Sequence, residues 1–182
     1  MSLYGNNASK IPLFNDCRFH NYTTLASHHY YRNGLLNNCE FKDGAKLEFH
    51  VIGENDLASY TGQHYNNCKF NNVGDKMMKL CPFANSFGKV DIHFNNCEFN
   101  FNENAKQLID GYSCPTNGSV IEFKDCVFIN AENMTGYSNT YGGLTEEGLD
   151  ITFIFDNCTG LNVSNFINET NNKNGQVKII IK

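Results

Sequence analysis

Apolar and polar residues alternate along much of this chain, and one alternating phrase keeps returning. In Val90-Asp91-Ile92-His93-Phe94, the apolar Val90, Ile92 and Phe94 are interleaved with Asp91 and His93, the period of a half-buried strand. An Asn95-Asn96 pair follows, and then Cys97 and Phe99 alternate with Glu98 and Asn100. The pattern predicts strand, tight turn, strand, with the apolar side of both arms facing one interior.

The phrase (aromatic or Leu, two polar positions, Cys, a variable residue, Phe) occurs as Phe14-Asn15-Asp16-Cys17-Arg18-Phe19 and Leu36-Asn37-Asn38-Cys39-Glu40-Phe41. It recurs as Tyr65-Asn66-Asn67-Cys68-Lys69-Phe70, Phe94-Asn95-Asn96-Cys97-Glu98-Phe99 and Phe123-Lys124-Asp125-Cys126-Val127-Phe128. A worn copy, Phe155-Asp156-Asn157-Cys158-Thr159-Gly160, ends the series. The cysteines of the six copies stand 22, 29, 29, 29 and 32 residues apart. A recurrence in that range is the mark of a repeat architecture.

The residue before each cysteine is Asp16, Asn38, Asn67, Asn96, Asp125 or Asn157. Asn and Asp are the residues other than Gly that best tolerate a left-handed backbone. A single left-handed residue at that position turns the chain sharply and keeps the inward alternation. If each unit of 29 is one coil of a parallel β-helix, equivalent residues stack at roughly 4.8 Å, and six coils make a rod of about 30 Å. The inward columns are then Phe14–Leu36–Tyr65–Phe94–Phe123–Phe155, the cysteines Cys17, Cys39, Cys68, Cys97, Cys126 and Cys158, and Phe19–Phe41–Phe70–Phe99–Phe128. The outward position after Cys reads Arg18, Glu40, Lys69, Glu98, alternating in sign as a parallel stack requires.

These residues make the chain resemble the right-handed parallel β-helix family: pectate-lyase-like proteins and the tailspike and tail-fibre domains of bacteriophages. Members of that family stack Asn in a two-residue turn and Phe or Cys inside the tube. The resemblance covers about residues 10–160. It implies three strands per coil and one long, variable loop. The six-residue period of left-handed hexapeptide helices and the fifth-residue period of pentapeptide repeats are both absent. The expected fold is therefore all-β, a right-handed parallel β-helix of about six coils. Residues 1–10 form an approach segment and 11–182 a single domain. Additional strands are expected over 46–51, 76–81, 105–112 and 176–181, with an irregular stretch over 130–148.

Composition narrows the function classes. The 182 residues carry 14 basic and 19 acidic side chains, net −5, with no basic stripe for nucleic acid. There is no apolar run long enough to span a membrane. Twenty-nine residues are Asn, which with 15 Phe and 9 Tyr at periodic positions indicates turn chemistry rather than low complexity. Six of the eight cysteines fill one inward column as small hydrophobes, leaving Cys81 and Cys114 as the unconstrained pair. Zinc-type clusters, calcium loops and phosphate-cradling glycine loops do not occur, so neither a metal nor a cofactor is expected. The opening Met1-Ser2-Leu3-Tyr4-Gly5 has no basic start or apolar run. Reduced thiols suit assembly in a cytoplasm and display on a virion or extracellular surface.

Two groups of residues are candidates for chemistry. On one outward column, His64, His93 and Glu122 succeed one another, and Asp91 lies two residues before His93. Such a patch offers acid–base groups to a polysaccharide lyase or glycoside hydrolase. Its plainer alternative is a surface ion-pair ladder. The second group is the loop aromatics and amides Tyr60, Tyr112, Tyr137, Asn139 and Tyr141, suited to gripping sugar rings or to packing loops. The expectation is a non-enzymatic structural or receptor-binding module of a phage tail appendage or surface adhesin. It would be homo-oligomeric (a trimer favoured) or docked to neighbouring subunits, with a polysaccharide ligand. The polysaccharide-cleaving enzyme and a purely structural spacer are the alternatives.

Overall fold

The computed structural model describes residues 2–3, 13–21, 25–27, 34–44, 47–49, 62–74, 76–80, 91–105, 107–111, 119–132, 134–138, 151–162 and 177–182. These residues form nineteen strands, all-β, in three parallel sheets. After β1 (Ser2–Leu3), the first phrase supplies β2 (Leu13–Asn15), β3 (Arg18–His20) and β4 (Leu25–Ser27). The second supplies β5 (Gly34–Asn37), β6 (Glu40–Lys42) and β7 (Leu47–Phe49). The third supplies β8 (Gln63–Asn66), β9 (Lys69–Val73) and β10 (Lys76–Leu80). The fourth gives β11 (Asp91–Asn95), β12 (Glu98–Phe101) and β13 (Gln107–Gly111), and the fifth β14 (Ser119–Lys124), β15 (Val127–Ala131) and β16 (Thr135–Ser138). The chain closes with β17 (Ile151–Asp156), β18 (Thr159–Leu161) and β19 (Val177–Ile181). Each of the four further stretches expected to be strand, 46–51, 76–81, 105–112 and 176–181, holds one: β7, β10, β13 and β19.

Through β18 every third strand joins the same sheet, and β19 then pairs with β17. The orders are β1-β4-β7-β10-β13-β16, then β19-β17-β14-β11-β8-β5-β2, and β18-β15-β12-β9-β6-β3. Register follows the phrase residue by residue. Phe14 pairs Leu36, Leu36 pairs Tyr65, Tyr65 pairs Phe94, Phe94 pairs Phe123 and Phe123 pairs Phe155. In the next sheet Phe19, Phe41, Phe70, Phe99 and Phe128 pair in turn. Between the two sheets the cysteines form one file: the amides of Glu40, Lys69, Glu98, Val127 and Thr159 donate to the carbonyls of Cys17, Cys39, Cys68, Cys97 and Cys126 at 2.9–3.0 Å. One hydrophobic cluster draws on all three sheets, with Met77, Leu108 and Ile109 coming from the third and Met134 from the residue just before β16.

All six predicted corner residues are left-handed, with φ between 51° and 55°. Their side chains form a ladder: Asn38 Nδ2 donates to Asp16 Oδ1 at 3.2 Å, Asn67 to Asn38 at 3.3 Å and Asn96 to Asn67 at 2.8 Å. A parallel amide ladder, Asn15–Asn37–Asn66–Asn95, runs one residue earlier at 2.9–3.0 Å. A second corner, not anticipated, lies four residues after Cys: Asn21, Asp43, Asn72 and Asn130 also have positive φ, 53° to 61°. In the fourth repeat Phe101 takes that slot and is buried, the register against β9 shifts, and Asn102 carries the bond to Asn72 at 3.0 Å.

The worn last phrase also has a structural cause. Gly160 stands where the other copies have Phe, at φ +86°, and a Cβ there would overlap the Phe128 carbonyl. The backbone itself occupies the space a ring fills elsewhere, so only glycine fits. The pairing of β15 with β18 is accordingly irregular.

Candidate functional site

The outward column of the seven-stranded sheet runs Leu13, Leu35, His64, His93, Glu122, Ile154, Ile180 by register. Parallel pairing sets His93 directly between His64 and Glu122, and the two-residue strand period puts Asp91 on the same face. The four expected residues therefore meet. His93 Nε2 lies 2.8 Å from Asp91 Oδ1, and His93 Nδ1 lies 2.9 Å from Glu122 Oε2. The rings of His64 and His93 stack, with centroids 4.6 Å apart and planes 7° from parallel. The His93 side chain is 21% exposed, Asp91 20% and Glu122 24%.

A carboxylate accepts and does not donate, so two carboxylates on one imidazole select the form with both nitrogens protonated. The hydrogen bond to Asp91 raises the His93 pKa above its ordinary value, the bond to Glu122 adds to it, and partial burial opposes both. An imidazolium so held has no lone pair for base catalysis. It also fills the gap between the carboxyls, where an inverting hydrolase places its water. The geometry is that of a histidine clamped between two carboxyls, with its pKa held above the ordinary value. At residue 62, a glycine with φ +87° lies against Asp91, where a Cβ would come within 3.2–3.3 Å of Asp91 atoms.

A second, smaller cluster escaped the sequence reading. Glu40 receives His20 Nε2 at 3.3 Å, Asn71 Nδ2 at 3.3 Å and Arg18 Nε at 3.7 Å. The His20 bond, then Asn71 and Arg18, lower the Glu40 pKa. The Arg18–Glu40 contact follows from the alternating charges, and His20 was visible only as the residue after Phe19.

Of the aromatic candidates, Tyr137 lies in β16, its backbone paired with Ile109. Tyr60, Tyr112, Asn139 and Tyr141, like Cys81 and Cys114, lie outside the described residues. The six cysteines of the phrase are free thiols. Each Sγ lies 3.3–3.5 Å from the carbonyl two residues earlier, and in Cys39, Cys68, Cys97, Cys126 and Cys158 a carbonyl of the preceding repeat stands at 3.3–3.5 Å as a second acceptor for the one S–H. Burial pushes the Cys39 thiol up to about 11. Among the described residues no group of three or more His, Cys, Asp or Glu is arranged to hold a metal ion, and no helix is long and apolar enough to cross a membrane. No family model, curated protein or solved structure matches this chain.

Proposed function

We propose that the three sheets close on one another as a right-handed parallel β-helix of about six coils. We propose further that this rod is a non-enzymatic structural and receptor-binding module of the phage-tail or surface-adhesin kind, displaying its sides to a cell-surface glycan. Support for the closed helix comes from one hydrophobic cluster shared by all three sheets and from a register that repeats phrase by phrase. The observation that carries the non-enzymatic reading is His93: both its ring nitrogens are bound to carboxylates, so neither offers a free lone pair to a general base. In this reading the ends of the rod meet other subunits, a trimer of this chain or neighbours in a larger particle, on a virion or extracellular surface. No cofactor enters it.

The alternative is a polysaccharide lyase or hydrolase, favoured by the two carboxyls brought to one histidine beside a second stacked histidine. A panel of acidic and neutral polysaccharides, assayed for cleavage and on a glycan array for binding, separates the two. The module reading expects binding without turnover. Turnover abolished in Glu122→Gln would replace it with the enzyme. Neither binding nor turnover, together with a concentration-independent trimer by light scattering, would leave a structural spacer.

A further inference from the structure

The corner ladder has one break. Its hydrogen bonds all run the same way, each amide donating to the residue one repeat earlier, starting from Asp16. At the fifth rung stands Asp125, which accepts from Asn157 Nδ2 at 2.7 Å. A carboxylate has no N–H to pass on. Asn96 Oδ1 therefore has no donor from the next rung, and none among the other described residues supplies one. Asn96 and Asp125, both exposed to solvent, thus present acceptors on successive rungs, at the one place between the ladder's ends where no N–H runs from rung to rung.

A groove of about 230 Å³ opens at this point, lined by Asn67, Lys69, Asn96, Glu98, Asp125 and Val127, with Cys68 and Cys97 at its base. Lys69 and Glu98 are direct neighbours in register, yet no ion pair joins them, unlike Arg18 and Glu40 at the same column. The groove thus offers acceptors at Asn96 and Asp125, a donor at Lys69, a further acceptor at Glu98 and an apolar patch at Val127, which is 43% exposed.

We infer that this groove binds one neutral pyranose unit, with a pair of ring hydroxyls bridging Asn96 Oδ1 and Asp125. The inference rests on the glycan-binding module proposed above and moves its contact from the tyrosine loops to the corner. Adjacent hydroxyls donate to Asn96 Oδ1 and to the Asp125 carboxylate, which also accepts from Asn157; a hydroxyl oxygen accepts from Lys69, and a C–H face of the ring lies on Val127. Other ligand classes fit less well. A phosphate or sulfate meets two acceptors and a second carboxylate. A calcium ion needs six to eight oxygens and meets the Lys69 ammonium. The volume is below the roughly 300–1,000 Å³ of drug-sized pockets, which limits the occupant to a single ring.

Asp125→Asn is the decisive variant, because Asn stands at four of the six rungs and keeps the left-handed corner. It supplies the missing N–H to Asn96 and so closes the ladder over the site. The full chain is screened on a glycan array, and methyl glycosides of the neutral hexoses are then titrated while backbone amide shifts are followed by NMR. The inference expects shifts centred on Asn96, Asp125 and Val127. It also expects at least about a tenfold weakening in Asp125→Asn, the scale of one lost charge-assisted hydrogen bond, with an unchanged or raised Tm. Asp16→Asn, the same exchange at the end rung, retains full affinity. Binding that survives Asp125→Asn, or shifts that centre elsewhere, overturns the groove and leaves the module reading standing. No glycan bound by the wild-type chain overturns both. Should Asp125→Asn fold poorly, Lys69→Ala and Val127→Asp must each weaken binding, and unchanged affinity in either refutes the site.

Discussion

The middle repeats and the end repeats carry the same phrase but differ in what it achieves. Cys68, Cys97 and Cys126, with Phe70, Phe94, Phe99 and Phe123, are buried to within 2% of complete. At one end Phe14, Cys17 and Phe19 are only partly covered, and at the other Cys158 and Ile179 are too. Ile181, paired with Phe155 in the inward column, is 67% exposed. Burial therefore comes from neighbours and not from the phrase: a repeat shields its ring only when another repeat lies on each side, the nearest-neighbour energetics of stacked arrays.

The largest test removes the same ring in both settings. Phe99 stacks on Phe70 at 4.8 Å and on Phe128 at 5.0 Å and meets Phe94 edge-on at 5.3 Å. Phe99→Ala should cost about 3–5 kcal/mol in chemical denaturation, the range for a fully buried aromatic. Phe19 stacks on Phe41 alone in its column, at 4.9 Å, and Phe19→Ala should cost about 1–2 kcal/mol, from partial loss of buried area. Equal losses at the two positions would mean that the ends are covered as fully as the middle.

Next in size is the exchange at the worn phrase. Gly160→Ala forces a side chain into a left-handed position and against the Phe128 carbonyl. It should lower stability by about 2–3 kcal/mol. The loss should appear first as amide exchange in β15 and β18, since among the described residues β18 is the edge strand of that sheet. A neutral substitution would show that the backbone can withdraw from Phe128, and the contrast between end and middle would soften.

These positions also show how much of the architecture was readable beforehand. The inward columns were legible because two periods coincide, alternation within a strand and recurrence between phrases, and no other placement buries Phe and Cys together. The second corner was written just as plainly, as Asn or Asp four residues after Cys at 21, 43, 72 and 130. It was obscured by Phe101, which breaks the series in the fourth repeat. Gly160 looked like decay because a close backbone approach leaves no sign in a hydrophobicity pattern. Asp and Asn were treated as equals at the first corner, which is right for φ and wrong for hydrogen bonding; unlike Asn67 and Asn96, Asp125 has no side-chain N–H to donate and carries a carboxyl group. The His64, His93, Asp91 and Glu122 patch was predicted as a column, but the closure of both His93 nitrogens needed coordinates.

A smaller effect distinguishes the middle of the outer face. His93 faces Asp91 on its own strand, Glu122 on β14 and His64 on β8. Its raised pKa means that the cluster stabilises the fold fully below the unfolded value of about 6.5, and that this contribution is lost as pH rises through the folded value. Stability measured against pH should therefore fall on going upward from about pH 6.5. His93→Gln should flatten that slope and cost about 1–2 kcal/mol at pH 6, by leaving two half-buried carboxylates short of a donor. Glu40 titrates in a separate window: its lowered pKa lends stability that is lost only as pH falls below the ordinary carboxylate range. A pH profile unchanged in His93→Gln would remove the ion-pair description of the patch.

The last and gentlest test reads the same contrast without altering the chain. The thiolate is the reactive form, and a thiol needs both access and ionisation to reach it. Cys39, buried and raised to about 11, lacks both at neutral pH, and Cys68 and Cys97 are sealed between stacked rings at 0% and 2% exposure. Cys17 and Cys158 lie at the ends of the file and are only partly covered. Of the six phrase cysteines, Cys17 should be labelled first under native conditions by a thiol reagent read out by peptide mass spectrometry, ahead of Cys158, whose thiol is pushed up by its hydrogen bond to Cys126 and by burial. Cys39, Cys68, Cys97 and Cys126 should follow together, at the rate of unfolding. Early modification of Cys97 alone would mean that the interior opens at the centre of the stack, the reverse of what neighbour-dependent burial requires.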